Sequence, residues 1–130
     1  MAKASQVVIM EGEYYIIKSP NGKVLEVKDF NTENGAGIQL WSYAGHPWQQ
    51  WQFVDAGEGR WRIRNRFTGK FIDLALGGVV EGTWLHQWGR TSGLSQCWEL
   101  ESTRNGRTRI RNVLADKYID LVGMNTSNGA

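Results

Sequence analysis

WRIRNRFTGKFIDL, residues Trp61–Leu74, has two altered copies in this chain. YYIIKSPNGKVLEV, Tyr14–Val27, stands 47 residues before it, and TRIRNVLADKYIDL, Thr108–Leu121, stands 47 residues after it. The register holds outward from there without a gap. Gly12, Gly59 and Gly106 match, as do Ile16, Ile63 and Ile110, and Lys23, Lys70 and Lys117. Gly35, Gly82 and Gly129 match; Trp41 pairs with Trp88, Gln49 with Gln96 and Trp51 with Trp98. A fixed period over so many positions is an internal repeat, and it decides the fold before any local propensity does. Units of about 12–58, 59–105 and 106–130 are expected within one domain, a size that suits 130 residues.

Each unit reads as short strands. YYII, WRIR and TRIR mix β-branched or aromatic residues with polar ones, and KVLEV, KFIDL and KYIDL follow as second strands. PNGK and FTGK between them are hairpin turns, with Gly22 and Gly69 where a positive φ is needed. Asp116 takes that place in the third unit, and Asp tolerates the left-handed region better than most residues. IQLW and WLHQW are predicted third strands; QQWQF and QCWEL are predicted fourth strands. No helical periodicity appears, so the class is all-β. A propeller needs at least about four blades, and this chain has fewer than three units. A threefold arrangement remains.

Q-x-W occurs as QQW at Gln49–Trp51 and as QCW at Gln96–Trp98. In register with the Asp-bearing strands, the Gly turns and IQLW, it resembles the ricin-type β-trefoil lectins, over nearly the whole chain from Gly12 to Ala130. The third unit, KYIDLVGMNTSNGA, is similar to the galactose-binding mushroom agglutinins of that family. The resemblance implies a β-trefoil with pseudo-threefold symmetry, up to three shallow sugar sites, no cofactor and no catalysis. Its implied partners are glycans bearing galactose or N-acetylgalactosamine.

A pyranose offers an apolar C–H face and a rim of hydroxyls. A ring can cover the face, a carboxylate can accept from neighbouring hydroxyls, and amides can serve the rim. By the resemblance, the carboxylate falls on Asp73 and Asp120, and on the longer Glu26 in the first unit. The stacking ring falls on Trp41 and Trp88, with Gln39 and His86 two residues earlier as polar contacts. Gln49 and Gln96 would orient the carboxylate. The Asn that often precedes this glutamine is Trp48 in one unit and Ser95 in the next. Trp48 stays open as a site wall, a partner contact or a loop plug. Trp51 and Trp98 are expected core anchors, Trp61 and Trp84 packing residues, and the second unit keeps the fullest site.

The third unit reaches Ala130 before the counterparts of Trp88 and Gln96, so Asp120 has no ring in its own unit. SQVVIM, Ser5–Met10, resembles SQCWEL, Ser95–Leu100. Residues 1–11 are therefore expected to complete the third unit, with Val8 in the place of the anchoring Trp. That segment would stand as the fourth strand; the third would still be missing, either supplied by a neighbouring chain through a homodimer or strand exchange, or absent because the sequence is a shortened one.

The remaining composition narrows the function classes. Net charge is +2, from 15 basic and 13 acidic residues, too balanced to indicate a nucleic-acid partner. RWRIRNR, Arg60–Arg66, reads as the outer face of a strand. No apolar run is long enough for membrane insertion. No secretory leader is visible, so a cytosolic protein, or one released without a signal peptide, is the expectation. His46 and His86 are placed in equivalent loops, without metal-ligand spacing. The lone Cys97 reads as a buried inert thiol. No Ser-His-Asp grouping or carboxylate pair is marked, so an enzyme is not expected. A lectin leads. A targeting module for xylan or another polysaccharide in a larger enzyme or toxin, and a trefoil-type protease inhibitor, are the alternatives.

Overall fold

The computed structural model describes residues 8–130. Ten strands follow one another: β1 (Tyr14–Tyr15), β2 (Val24–Val27), β3 (Ile38–Trp41), β4 (Trp51–Gly57), β5 (Arg60–Asn65), β6 (Phe71–Leu74), β7 (Leu85–Trp88), β8 (Trp98–Ser102), β9 (Thr108–Asn112) and β10 (Lys117–Tyr118). Only single 3-10 turns interrupt them, so the chain is all-β as expected. The order β1-β4-β5-β8-β9-β10 forms one sheet, to which β6 and β7 are added through β5. Strands β2 and β3 form a separate hairpin. The predicted turn positions have positive φ: 90° at Gly22, 72° at Gly69 and 55° at Asp116.

The repeat is visible in the core. Trp51 and Trp98 are buried, and each indole donates to a second-strand carbonyl, Leu25 at 3.0 Å and Ile72 at 3.1 Å. Burying an indole while pairing its N–H removes the desolvation penalty that the polar group would carry. Phe53, Ile63, Ile72, Leu74 and Val27 pack with the two anchors in one buried cluster. Trp61 packs against this cluster, edge-on to Phe53. Cys97 is buried one residue before β8.

The units are clasped by backbone. Gly35 N–H donates to the Gln87 carbonyl at 2.8 Å, and Gln87 N–H donates to the Ala36 carbonyl at 2.9 Å. At the equivalent place in unit three, Gly129 N–H donates to the Leu40 carbonyl and Leu40 N–H to the Ala130 carbonyl, both at 2.8 Å. The first clasp joins unit one to unit two, and the second joins unit three to unit one. Arg111 adds an ion network to Glu99, Glu101 and Asp116, and its guanidinium is held above its ordinary pKa, chiefly by the hydrogen bond to Glu99.

Three expectations need correction. Val8 does not take the anchor's place: it is 75% exposed, and residues 8–10 form no strand. Ile9 packs on the core instead, and Met10 N–H donates to the Tyr15 hydroxyl, so this stretch leads into β1 through a turn closed by Glu13 N–H on the Met10 carbonyl. Valine is too small to fill an indole-sized space. Residues 5–7 of that proposed strand lie outside the described residues. Trp84 is not a packing residue; it is 76% exposed. His46 and His86 are not equivalent: His46 precedes a 3-10 turn, whereas His86 lies within β7.

Candidate functional site

The site is a product of hairpin register. In β2–β3, Glu26 stands opposite Gln39 and Val24 opposite Trp41. In β6–β7, Asp73 stands opposite His86 and Phe71 opposite Trp88. Side chains two apart on a strand share a face, so carboxylate, polar side chain and ring come to one surface in each unit. The rings are half-exposed, Trp41 at 41% and Trp88 at 39%, unlike the buried anchors.

In unit one the carboxylate is engaged at both ends. Glu26 is 5% exposed, and a charge so deep needs hydrogen-bond partners. Gln39 Nε2 donates to its Oε2 at 2.8 Å and Gln49 Nε2 to its Oε1 at 3.0 Å. Gln49 is saturated in turn: it also donates to the Ser42 carbonyl at 2.9 Å and accepts from Ala44 N–H at 2.8 Å. It therefore closes its own loop and holds one oxygen of the carboxylate.

Unit two differs by one methylene. Asp73 is 7% exposed, and its Oδ1 accepts from the adjacent Leu74 N–H at 2.8 Å. Its Oδ2 lies 3.5 Å from His86 Nε2, within ion-pair reach but long for a hydrogen bond. His86 Nε2 has no hydrogen-bond partner among the described residues. The imidazole stacks against Trp88, centroids 5.4 Å apart at 28°. Gln96 does not orient Asp73. It donates to the Gly89 carbonyl at 2.8 Å and accepts from Thr91 N–H at 3.0 Å, closing the loop alone. The shorter Asp side chain is held by its own backbone and makes no bond to that amide. Unit two thus holds a carboxylate oxygen and a buried imidazole nitrogen 3.5 Å apart, neither with a hydrogen-bond partner among the described residues.

Asp120 repeats the local geometry of Asp73: its Oδ1 accepts from Leu121 N–H at 2.8 Å. It is exposed, and among the described residues no ring of its own unit comes to its face. Trp48 packs on the core, stacks on His46 at 4.2 Å and meets Phe30 and Phe67. Of its three readings, this is the loop plug, wedged between unit one and the turn of unit two.

Two pairs of asparagines matter that the sequence reading passed over. Asn65 and Asn112 are buried, donate to the Trp48 and Ser95 carbonyls at 3.0 and 2.9 Å, and accept from two backbone N–H groups of the following turn. They fix the loop carrying each glutamine. Their signal was the shared RN at one offset, Arg64–Asn65 and Arg111–Asn112. Asn34 and Asn128 accept from Gly89 N–H at 2.9 Å and Ser42 N–H at 3.0 Å, so each ring-bearing loop is braced by the preceding unit. Among the described residues, no group of three His, Cys, Asp or Glu is placed to hold a metal ion, and no helix is long and apolar enough to cross a membrane.

A family model described as a ricin-type beta-trefoil lectin domain-like family matches residues 6–88. No curated protein matches the chain. Among solved structures, the designed three-fold symmetric protein ThreeFoil is similar at 30% identity and a TM-score of 0.87, over 90% of this chain and 84% of that one. An exo-beta-1,3-galactanase from Clostridium thermocellum is similar at 30% identity and a TM-score of 0.87, over 94% of this chain but 27% of the galactanase. The Polyporus squamosus lectin, bound to Neu5Aca2-6Galb1-4GlcNAc in its structure, shares the fold at 20% identity and a TM-score of 0.79, over 94% of this chain and 43% of that one.

Proposed function

The chain belongs to the ricin-type beta-trefoil lectin-like family, and from that premise we propose a carbohydrate-binding protein whose principal site is in unit two. The observation that carries the reading is one face holding Asp73, His86 and the half-exposed ring of Trp88, with Asp73 Oδ2 and His86 Nε2 without hydrogen-bond partners among the described residues. The Trp88 face covers the C–H face of a pyranose and Asp73 Oδ2 accepts from a hydroxyl, while His86, its Nε2 buried, stacks behind the indole. The ligands are glycans bearing galactose or N-acetylgalactosamine, a choice supported by the galactoside on one fold relative and the galactan-degrading activity named for another. Unit one is a weaker site, because both oxygens of Glu26 already accept amide N–H groups. Asp120 is an incomplete third.

A single open site of this kind binds in the millimolar range, about −4 kcal/mol, so function in a cell rests on more than one site acting together. A second reading is supported by the chain's coverage of 27% of the galactanase: a targeting module that holds a larger enzyme on its polysaccharide.

A glycan array that includes β-1,3-galactan tests both. The expected result is selective binding of terminal galactose or N-acetylgalactosamine, weakened at least about tenfold, or 1.4 kcal/mol, by Trp88→Ala, with the fold retained. Preference for β-1,3-galactan over short galactosides would select the module. Binding untouched by Trp88→Ala would end the assignment to unit two.

A further inference from the structure

One buried titratable group has no hydrogen-bonding task in the binding face. His86 stacks on Trp88, and its Nε2 is buried 3.5 Å from Asp73 Oδ2 without a hydrogen bond. A neutral imidazole carries a proton on one nitrogen only, and at this distance Nε2 gives Asp73 no bond of ordinary length. The protonated ring has a donor on both nitrogens and a full positive charge. A closing movement of about 0.7 Å then brings the pair to charge-assisted length.

The surroundings leave Asp73 as the partner for that charge. The strands packed against β7 are β6 and β3. Asp73 is the one charged residue of β6, β3 has none, and β7 itself adds only Leu85, Gln87 and Trp88. Gly37 bridges to His86 from unit one and brings no side chain. Glu33, Glu81 and Arg90, the charged side chains of the adjoining loops, are exposed, and among the described residues Asp73 is the only ion-pair partner of His86. Because Nε2 is sealed from solvent, a proton gained there serves Asp73 and not a ligand. Unit one shows the closed arrangement made permanent: Gln39, at the same offset, is an amide that does not titrate, and it donates to Glu26 at 2.8 Å.

We propose that His86 is a proton-operated latch on the carboxylate of unit two. Neutral, it leaves Asp73 Oδ2 to a sugar hydroxyl. Protonated, it draws that oxygen into an ion pair, as Gln39 holds Glu26, and glycan affinity falls. Affinity is full above the range in which imidazoles titrate and is lost as pH falls through it. By linkage, a sugar that binds the open carboxylate expels the proton from His86. The inference rests on the reading of unit two as a glycan site.

The test isolates unit two with Trp41→Ala, which truncates a half-exposed ring of unit one. Galactose is titrated by calorimetry at about pH 8 and about pH 5. Affinity should fall roughly fivefold on acidification, because the hydroxyl loses a fully charged acceptor. His86→Phe keeps a ring against Trp88 without a nitrogen, and should retain in acid the affinity of neutral solution. His86→Gln should give the weaker value at both. His46, the other histidine, stacks on Trp48 in unit one and is common to every variant. Without sugar, the Asp73 carboxyl carbon followed by NMR should step as His86 titrates, and the step should vanish in His86→Phe. A pH profile that neither substitution changes would overturn the proposal, as would affinity that rises in acid or a carboxyl signal that ignores His86. Absence of galactose binding at about pH 8 would end the glycan reading, and the affinity half of the proposal with it. The carboxyl step, read without sugar, tells that failure from a failure of the latch.

Discussion

Units one and two share their frame and differ at their rims. Both bury an indole that donates to a second-strand carbonyl, and both close the loop before it with a buried glutamine. Above that frame, a Glu draws two amides onto itself, whereas an Asp, one methylene shorter, is held by its own backbone. A side chain one methylene shorter, opposite His86 and not Gln39, therefore leaves the carboxylate of unit two without amide partners.

The frame predicts the largest effects, and predicts them equal. Trp51→Ala and Trp98→Ala should each cost about 3–5 kcal/mol in chemical denaturation, by cavity and by lost hydrogen bond. A marked inequality between them would break the comparison at its base. The glutamines come next, and here the units should part. Gln49→Ala removes a donor from buried Glu26 and should cost about 1–3 kcal/mol. Gln96→Ala removes only loop closure and should cost about 1 kcal/mol less. Equal losses would mean that the Glu26 contact adds nothing.

The comparison can also be reversed. Glu26→Asp in a Trp88→Ala background isolates unit one. The shortened carboxylate should release Gln49 and face the ligand beside Trp41. Galactoside affinity in unit one should rise roughly tenfold, about 1.4 kcal/mol, by calorimetric titration. No gain would show that Trp48, in place of a smaller polar residue, limits that site instead.

The repeat made the hairpins, turns and anchors legible, because each is set by residues within one unit at a fixed offset. Gly69 and Asp116 could be read as left-handed positions from the turns FTGK and LADK, and their φ values agree. What could not be read depends on neighbours beyond the unit or on fractions of an ångström. Trp84 looked like a packing residue because most Trp in β proteins are; its exposure follows from an edge that no described strand covers. Val8 aligned with an anchor by sequence, but volume and not alignment decides what fills a core. Gln96 matched Gln49 letter for letter, yet its role changed because the residue across from it is shorter.

The smallest expected effect bears on the polar position before the ring. Gln39 donates to Glu26 at 2.8 Å, whereas His86 lies 3.5 Å from Asp73 without a hydrogen bond. His86→Gln would give unit two the side chain of unit one while keeping the shorter carboxylate. The amide has no stacking surface for Trp88, and it presents a donor that can turn toward Asp73. Affinity for galactosides should fall by about 0.5–1.5 kcal/mol, with thermal stability little changed. A loss as large as that of Trp88→Ala would move the main polar contact from Asp73 to His86. An unchanged affinity would leave ring and carboxylate as the whole of the site, with His86 serving only to back the indole.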